Sequence, residues 1–258
     1  MSRRRTAVLS DVHGNAVALR AVLADLDADG IERAVCLGDV AQGGPEPDVC
    51  VDLLADRGWP VVLGNADAFV LDPAHGEGSP EKLPDRLLTV RAWSYARLGA
   101  ERRRVVAGYD ATVVVDLGSG KTFLGCHATP SSYDPVVLPG APDDEFRAAF
   151  DGTGADVVGC GHIHLPYLRR IGETLVVNPG SVGLGYDHAL DGDSPRFDPW
   201  AAWAVVGTAG DGLSIEFRRT PFDATAVVDA YRTSGMPHAD ESARGWLADR
   251  ADPAQQDG

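Results

Sequence analysis

The stretch LSDVHGN, residues Leu9–Asn15, decides how the first part of the chain is interpreted. It follows an apolar run and precedes a helical pattern, so we predict that it forms the turn at the C-terminal end of a first β-strand. Ligand sites of α/β sheets are built at that end of the strands. Asp11 and His13 stand two residues apart, and in an extended chain their side chains would point the same way and could share one metal ion. A polar turn without a ligand explains the same residues.

The residues after this stretch alternate between helical and strand patterns. Apolar residues at helical spacing predict helices over residues 16–28 and 45–57, and short apolar runs predict strands over residues 33–37 and 60–63. The order strand, helix, strand, helix, strand is typical of a parallel sheet with right-handed crossovers. Each strand is followed by a small residue and by a carboxylate or carboxamide.

Residues 69–109 interrupt the alternation, and we predict that they form a helical insert near the site, with a helix around residues 87–106. A helix pair packed on the sheet is the alternative. Beyond residue 112 the pattern is one of hairpins. Strands or hairpins are predicted over residues 112–125, 156–160, 168–177 and 201–219, and helices over 143–150 and 223–233. No linker divides the chain, so we predict a single domain over residues 1–250 and a disordered tail over residues 251–258.

Composition limits the classes of partner. The 258-residue chain has a formal net charge of −15, which repels polyanions and argues against a long nucleic acid as partner. For an anionic substrate to bind, this negative charge would have to be compensated locally, for example by bound cations. No apolar run approaches the roughly 18 residues of a spanning helix, so we predict a soluble, cytoplasmic protein without a membrane partner. The four cysteines show no C-x-x-C spacing and are expected to be reduced and buried.

Seven residues with ligand-type side chains follow strands: Asp11, His13, Asp39, Asn65, His127, His162 and His164. They suffice for two metal ions if one carboxylate bridges them. Imidazole-rich sites favour Mn, Fe, Zn or Co over Mg or Ca, which prefer oxygen ligands. Two such ions, about 3.5–4 Å apart, bring the pKa of a shared water towards neutrality and hold a phosphoryl group.

The same residues stand in the order of a known family, and the chain resembles the calcineurin-like metallophosphoesterases, in particular the small bacterial and archaeal predicted phosphoesterases. The family blocks D-x-H, G-D, G-N-x-D/E, a lone histidine and G-H-x-H stand here as Asp11-Val12-His13, Gly38-Asp39, Gly64-Asn65-Ala66-Asp67, His127 and Gly161-His162-Ile163-His164. Residues 178–181 look like the family's later N-P-G-S loop. Together these blocks cover about two thirds of the chain.

The resemblance implies a four-layer α/β/β/α sandwich and a di-metal site. One ion would be held by Asp11, His13, Asp39 and His164, and the other by Asp39, Asn65, His127 and His162, with Asp39 bridging. A hydroxide bound to the di-metal centre would attack a small phosphomonoester or phosphodiester. Manganese is the favoured metal. The resemblance alone fixes neither the substrate nor the oligomeric state.

The sequence departs from the family at one position. Many members have a histidine where this chain has Ala66, and that residue is thought to protonate the leaving group. A general acid contributes about 10²–10⁴-fold, so esters with poor leaving groups should be cleaved slowly unless another residue, for example His75, donates the proton. A non-catalytic scaffold for protein interaction is the alternative function.

Three further roles complete the predicted site. We place Asp67 with Asp39 and Asn65 among the catalytic residues, and expect it to fix the loop at Asn65 by hydrogen bonds rather than to act as an acid. Asn65 and Asn15 are the predicted substrate-binding residues. For Asn15, a contact with substrate phosphate and a helix cap are equally compatible with the sequence.

Overall fold

The structure is a computed structural model, and it describes residues 4–72, 84–186, 196–210 and 212–247. In chain order its elements are β1 (Arg5–Leu9), α1 (Ala16–Ala28), β2 (Ala34–Cys36), α2 (Pro47–Arg57), α3 (Asn65–Leu71), α4 (Asp85–Val106), β3 (Thr112–Gly118), β4 (Lys121–Cys126), α5 (Asp143–Phe150), β5 (Val157–Gly159), β6 (Tyr167–Ile171), β7 (Thr174–Asn178), β8 (Trp200–Ala209), β9 (Gly212–Pro221), α6 (Ala224–Ser234) and α7 (Ala239–Leu247).

The first sheet has the strand order β2-β1-β8-β9. β1 and β2 are parallel, as the sequence predicts, but β8 pairs antiparallel with β1. The predicted extent of the third strand, residues 60–63, was wrong. Val61 and Val62 form only isolated bridges, to Cys36 and Asp110 respectively. The last hairpin, β8–β9, therefore completes the sheet that the N-terminal strands begin.

The second sheet has the order β3-β4-β5-β7-β6. β4, β5 and β7 are parallel neighbours, and antiparallel β3 and β6 form its two edges. Both sheets therefore mix parallel and antiparallel pairs, and the ends of their parallel strands carry the predicted ligands.

Four layers follow from the packing of these sheets. Their facing sides share one apolar cluster, in which Val8 and Ala204 of the first sheet meet Phe123 and Val157 of the second. Helices α1 and α2 cover the outer face of the first sheet, and α5 covers that of the second. This is the α/β/β/α sandwich that the family resemblance implies, and the predicted fold class is confirmed.

The predicted insert, residues 69–109, contains α4 and only the last residues of α3. Helix α4 packs against α2 and α3, is kinked at Gly99 (φ 66°), and buries Leu98 and Val106 in the core cluster that contains α1. The described part of the insert therefore packs onto the outer helical layer, and its role as a cap near the site stays a prediction. His75 and the tail over residues 251–258 lie outside the described residues, and the single-domain division stays a prediction.

Two other expectations from the sequence concern the burial of the cysteines and the presence of membrane-spanning helices. All four cysteines are free and buried. Within the described ranges, none of the helices combines the length and the apolar composition needed to cross a membrane.

Candidate metal centre

An unusual backbone conformation marks the loops that carry the predicted ligands. Five of them have positive φ angles: Asp11 (54°), His13 (47°), Asp39 (54°), His162 (70°) and His164 (57°). This left-handed conformation is uncommon for residues other than glycine and persists only where the surrounding structure imposes it. The extended conformation that we expected for Asp11 and His13 is therefore wrong, although both follow β1 as predicted.

Backbone hydrogen bonds hold the first two loops together. Asp11 N–H donates to the Gly38 carbonyl at 3.0 Å, and His13 N–H donates to the Asp39 carbonyl at 2.8 Å. Gly38 itself has a φ of +100°, and a Cβ atom there would lie 2.6 Å from Gly64 N. Only a glycine at this position lets the loops of Asp39 and Asn65 approach so closely.

The first group of ligand atoms contains Asp11, His13 and His164. The Nε2 atoms of the two histidines are 3.0 Å apart, and Asp11 Oδ1 lies 3.3 Å from His164 Nε2 and 3.8 Å from His13 Nε2. All three atoms lie within 4.8 Å of one another, a spacing that could accommodate a metal ion.

The second group contains Asp39, His127 and His162, with Asn65 between the histidines. Asn65 Oδ1 is 3.0 Å from His127 Nε2 and 3.0 Å from His162 Nδ1. Asp39 Oδ2 lies 3.4 Å from His127 Nε2. The structure thus brings together all seven predicted ligands in two groups.

Asp39 connects these groups. Its Oδ2 atom, 3.4 Å from His127 Nε2 in the second group, also lies 3.7 Å from His13 Nε2 in the first. Its Oδ1 atom is occupied, because it accepts a hydrogen bond from Ala66 N–H at 2.8 Å. One oxygen is fixed by the backbone and the other is turned between the groups, which is the arrangement that a bridging carboxylate needs.

The histidine tautomers are set by backbone carbonyls. Nδ1 of three rings lies 2.7–2.8 Å from a carbonyl oxygen, in the pairs His13–Gln42, His127–Leu37 and His164–Leu184. A carbonyl oxygen can only accept, so each Nδ1 carries a proton, and in the neutral ring Nε2 presents a lone pair. No signal in the sequence identifies these three partners, because any residue supplies a backbone carbonyl.

The two groups therefore fit cations. In the neutral rings, the lone pairs of His13 and His164 would face each other across 3.0 Å, which is repulsive unless a proton or a metal ion lies between them. Asp11 Oδ1 is buried and has no hydrogen-bond donor of good geometry, and His162 Nε2 is likewise buried without a partner. Buried polar atoms left unpaired are costly, and a bound cation would satisfy the acceptors among them.

The pKa shifts of the buried residues indicate the same need for positive charge beside the carboxylates. Burial alone would raise the pKa of Asp11 and Asp39, but the neighbouring histidines lower the pKa of both below its ordinary value. Burial alone would lower the pKa of His127, but Asp39 and Asp11 raise it to about 10. Without a metal ion, protons on the imidazoles would neutralise the buried carboxylates.

Asp67 lies behind the ligand groups and contacts backbone. Its Oδ1 atom accepts from Val40 N–H and Ala41 N–H, both at 2.9 Å, and its Oδ2 atom accepts from Gly64 N–H at 3.3 Å. Burial and the nearby Asp39 raise its pKa to about 7. These contacts match the loop-fixing role that we expected for Asp67.

Asn15 and the 178–181 loop support the centre from outside. Asn15 Oδ1 caps α1 by accepting from Ala18 N–H at 3.0 Å, and its Nδ2 donates to the Gly183 carbonyl at 3.0 Å. Asn178 Nδ2 donates to the Gly161 carbonyl at 2.6 Å, and Ser181 Oγ donates to the Asp11 carbonyl at 2.8 Å. The contacts of Asn15 are those of the capping alternative, and its contact with substrate stays a prediction.

Known structures share this architecture. A metallophosphoesterase from Sphaerobacter thermophilus is 21% identical, with a TM-score of 0.72 over 95% of this chain and 99% of that one. A hypothetical protein from Pyrococcus horikoshii OT3 is also 21% identical, with a TM-score of 0.76 over 93% of this chain and 96% of that one. At this identity the likeness concerns the fold. No curated protein matches the chain.

The sequence itself matches a family model. Residues 5–190 match the model described as the calcineurin-like phosphoesterase superfamily domain. This range contains both ligand groups and the loop over residues 178–181. The chain therefore belongs to the calcineurin-like phosphoesterase superfamily.

Proposed function

We propose that this protein is a metal-dependent hydrolase that cleaves a small phosphomonoester or phosphodiester at a centre of two divalent ions. The observation that carries the proposal is the position of Asp39 Oδ2, 3.7 Å from His13 Nε2 in one ligand group and 3.4 Å from His127 Nε2 in the other. A carboxylate oxygen shared by two imidazole-containing groups suits a bridged pair of ions better than two separate sites.

The residues that would hold the ions follow from the two groups. One ion would take Asp11, His13, His164 and the bridging Asp39, and the other would take Asp39, Asn65, His127 and His162. Four imidazoles favour Mn, Fe, Zn or Co, with manganese as our choice for assays. When bound, the ions would lower the pKa of a water molecule and neutralise charge on the phosphoryl group.

The chain's own residues orient and hold this centre. The hydrogen bonds from Nδ1 of His13, His127 and His164 to backbone carbonyls keep each Nε2 directed at its group. Asp67 fixes the backbone after Asp39 and before Asn65 through three N–H groups. In a chain with a net charge of −15, bound cations would also supply the positive potential that attracts an anionic ester.

At residue 66 the site has no proton donor for the leaving group. Ala66 has no titratable side chain, and its backbone N–H is engaged with Asp39 Oδ1. We therefore propose that the favoured substrates are small esters whose leaving oxygen departs without a strong acid. From the negative net charge and the absence of long apolar runs in the sequence, we also propose that the protein is cytoplasmic and does not act on long nucleic acids.

The test combines metal analysis with turnover. Protein loaded with Mn²⁺ should bind two ions per chain and hydrolyse bis(p-nitrophenyl) phosphate or p-nitrophenyl phosphate. Asp39→Asn should lose both ions and His162→Ala at least one, and each should lose most of the activity. His238→Ala is the matched control, since this exposed histidine lies 3.7 Å from Glu241 on the surface.

Two results would contradict the proposal. If the protein binds two ions but hydrolyses no phosphate ester in a broad panel, the proposed enzymatic function is excluded. No bound Mn, Fe, Zn or Co under any loading condition would instead favour the non-catalytic scaffold.

A further inference from the structure

A cavity of about 480 Å³ opens beside the candidate metal centre. His164, a predicted ligand, forms part of its wall, and so does Ser181, whose hydroxyl holds the Asp11 carbonyl. Pockets for small organic ligands fall in the range of about 300–1,000 Å³. The cavity therefore has the size and the position to receive a group attached to a phosphoryl bound at the centre.

Two aromatic side chains, Tyr186 and Trp200, line this cavity. Tyr186 lies beside His164, with ring centroids 5.4 Å apart. Trp200, the first residue of β8, lies under the Arg219 guanidinium, whose Cζ is 5.1 Å from the indole centroid. Both rings are half-buried, and the remaining wall includes the small apolar side chain of Ala202.

The charges of the lining narrow the class of ligand. Arg219 and Asp198 both contribute to the wall, so the lining carries one basic and one acidic side chain rather than a cluster of basic side chains for a second anionic group. Flat aromatic walls favour planar rings, because offset and edge-to-face contacts add to the burial of apolar surface. The Arg219 guanidinium over the Trp200 indole adds a cation–π attraction to this aromatic wall.

We propose that this cavity binds the organic group of the phosphate ester and selects a planar aromatic ring, with Trp200 and Arg219 as specificity-determining residues. The inference rests on the proposed function, because the phosphoryl group must be held by the centre for its substituent to reach the cavity. Tyr186 would contact the same ring on the side nearer to His164.

The test measures binding of two phosphonates to the Mn²⁺-loaded protein by calorimetry. Phenylphosphonate and methylphosphonate each carry one organic group on a carbon–phosphorus bond that the enzyme does not hydrolyse. Burial of the phenyl ring should make phenylphosphonate bind about tenfold or more tightly than methylphosphonate. Trp200→Ala should reduce this ratio by about threefold to tenfold.

The chain offers a closely matched control. Trp59 also lies under an arginine, with Arg57 Cζ 5.3 Å from its ring centroid, but it borders a separate cavity formed with Asp27 and Glu32. Trp59→Ala should therefore leave the ratio of the two dissociation constants unchanged. Trp200→Phe, which keeps an aromatic wall, should keep the ratio within about twofold of the original protein.

Arg219→Gln makes the test independent of the folding of the Trp200 variants. It removes an exposed charge and should lower the ratio by about twofold to fivefold. Equal affinities for the two phosphonates, in a protein that hydrolyses phosphate esters, would overturn this inference alone. If neither phosphonate binds and no ester is cleaved, the proposed function fails as well.

Discussion

The substitution Gly64→Ala tests whether the position of Asp39 controls the whole centre. Gly64 has φ −88° and ψ 168°, an extended conformation that alanine adopts freely, so the added methyl group acts only through its contacts. Its Cβ atom would lie 2.1 Å from Asp39 Oδ1 and 2.4 Å from Asp39 N. One of these atoms belongs to the backbone and cannot rotate away.

The size of the displacement follows from these distances. Real Cβ atoms almost never come closer than 3.0 Å to another heavy atom, so Asp39 Oδ1 must move by about 0.9 Å relative to the loop at residue 64. A misplacement of about 1 Å near reacting groups can cost about 10²-fold in rate. Overpacking of this kind also costs about 1–3 kcal/mol of stability.

We therefore expect Gly64→Ala to retain the fold, to bind less metal in both groups and to lose about 10²-fold in kcat/KM. Metal content per chain, hydrolysis of bis(p-nitrophenyl) phosphate and thermal unfolding measure the three effects. Gly140→Ala is the control, because a Cβ atom there meets nothing within 4 Å. A Gly64→Ala protein with two ions and unchanged kcat/KM would refute the bridging role of Asp39.

Three further predictions address the residues around the centre. Asp67→Ala should leave the N–H groups of the Val40 and Gly64 loops without acceptors and cost about 1–3 kcal/mol or more of unfolding free energy; equal denaturant midpoints would contradict this. Asn15→Ala should cost about 0.5–2 kcal/mol through the lost helix cap at unchanged KM, whereas a raised KM at unchanged stability would indicate a contact with substrate phosphate. Because Ala66 cannot protonate a leaving group, p-nitrophenyl phosphate should be cleaved about 10²–10⁴-fold faster than an alkyl phosphate; similar rates would point to another acid.

The sequence was most informative where the pattern is local. Helices α1 and α5 occupy the predicted residues, because their apolar spacing is decided within a few turns. Helix α3 was missed because it has only seven residues, and α7 because only Ala243 and Trp246 mark its buried side. The final hairpin was placed correctly along the chain, but its pairing with β1 depends on a contact between residues about 200 positions apart.

In the candidate site, the types of the ligand residues could be predicted from the sequence, but their conformation and hydrogen-bond partners could not. The sequence identified which side chains could bind metal, since aspartate, asparagine and histidine after strands are visible one residue at a time. It could not supply the left-handed conformation of Asp11 and His13, which depends on backbone hydrogen bonds to the loop of Asp39. It also could not supply the carbonyls that set the histidine tautomers.

The family, the fold class and the chemical identity of the candidate ligands follow from the sequence. Their arrangement depends on the packing of distant parts of the chain. His13 and His164 meet across 151 positions, and Asp39 Oδ2 lies between two groups drawn from both sheets. The same holds for the cavity, whose Trp200 and Arg219 come together through the register of β8 and β9. Side-chain type is a property of single residues, whereas distances between loops follow from the packing of the two sheets, which no local pattern records.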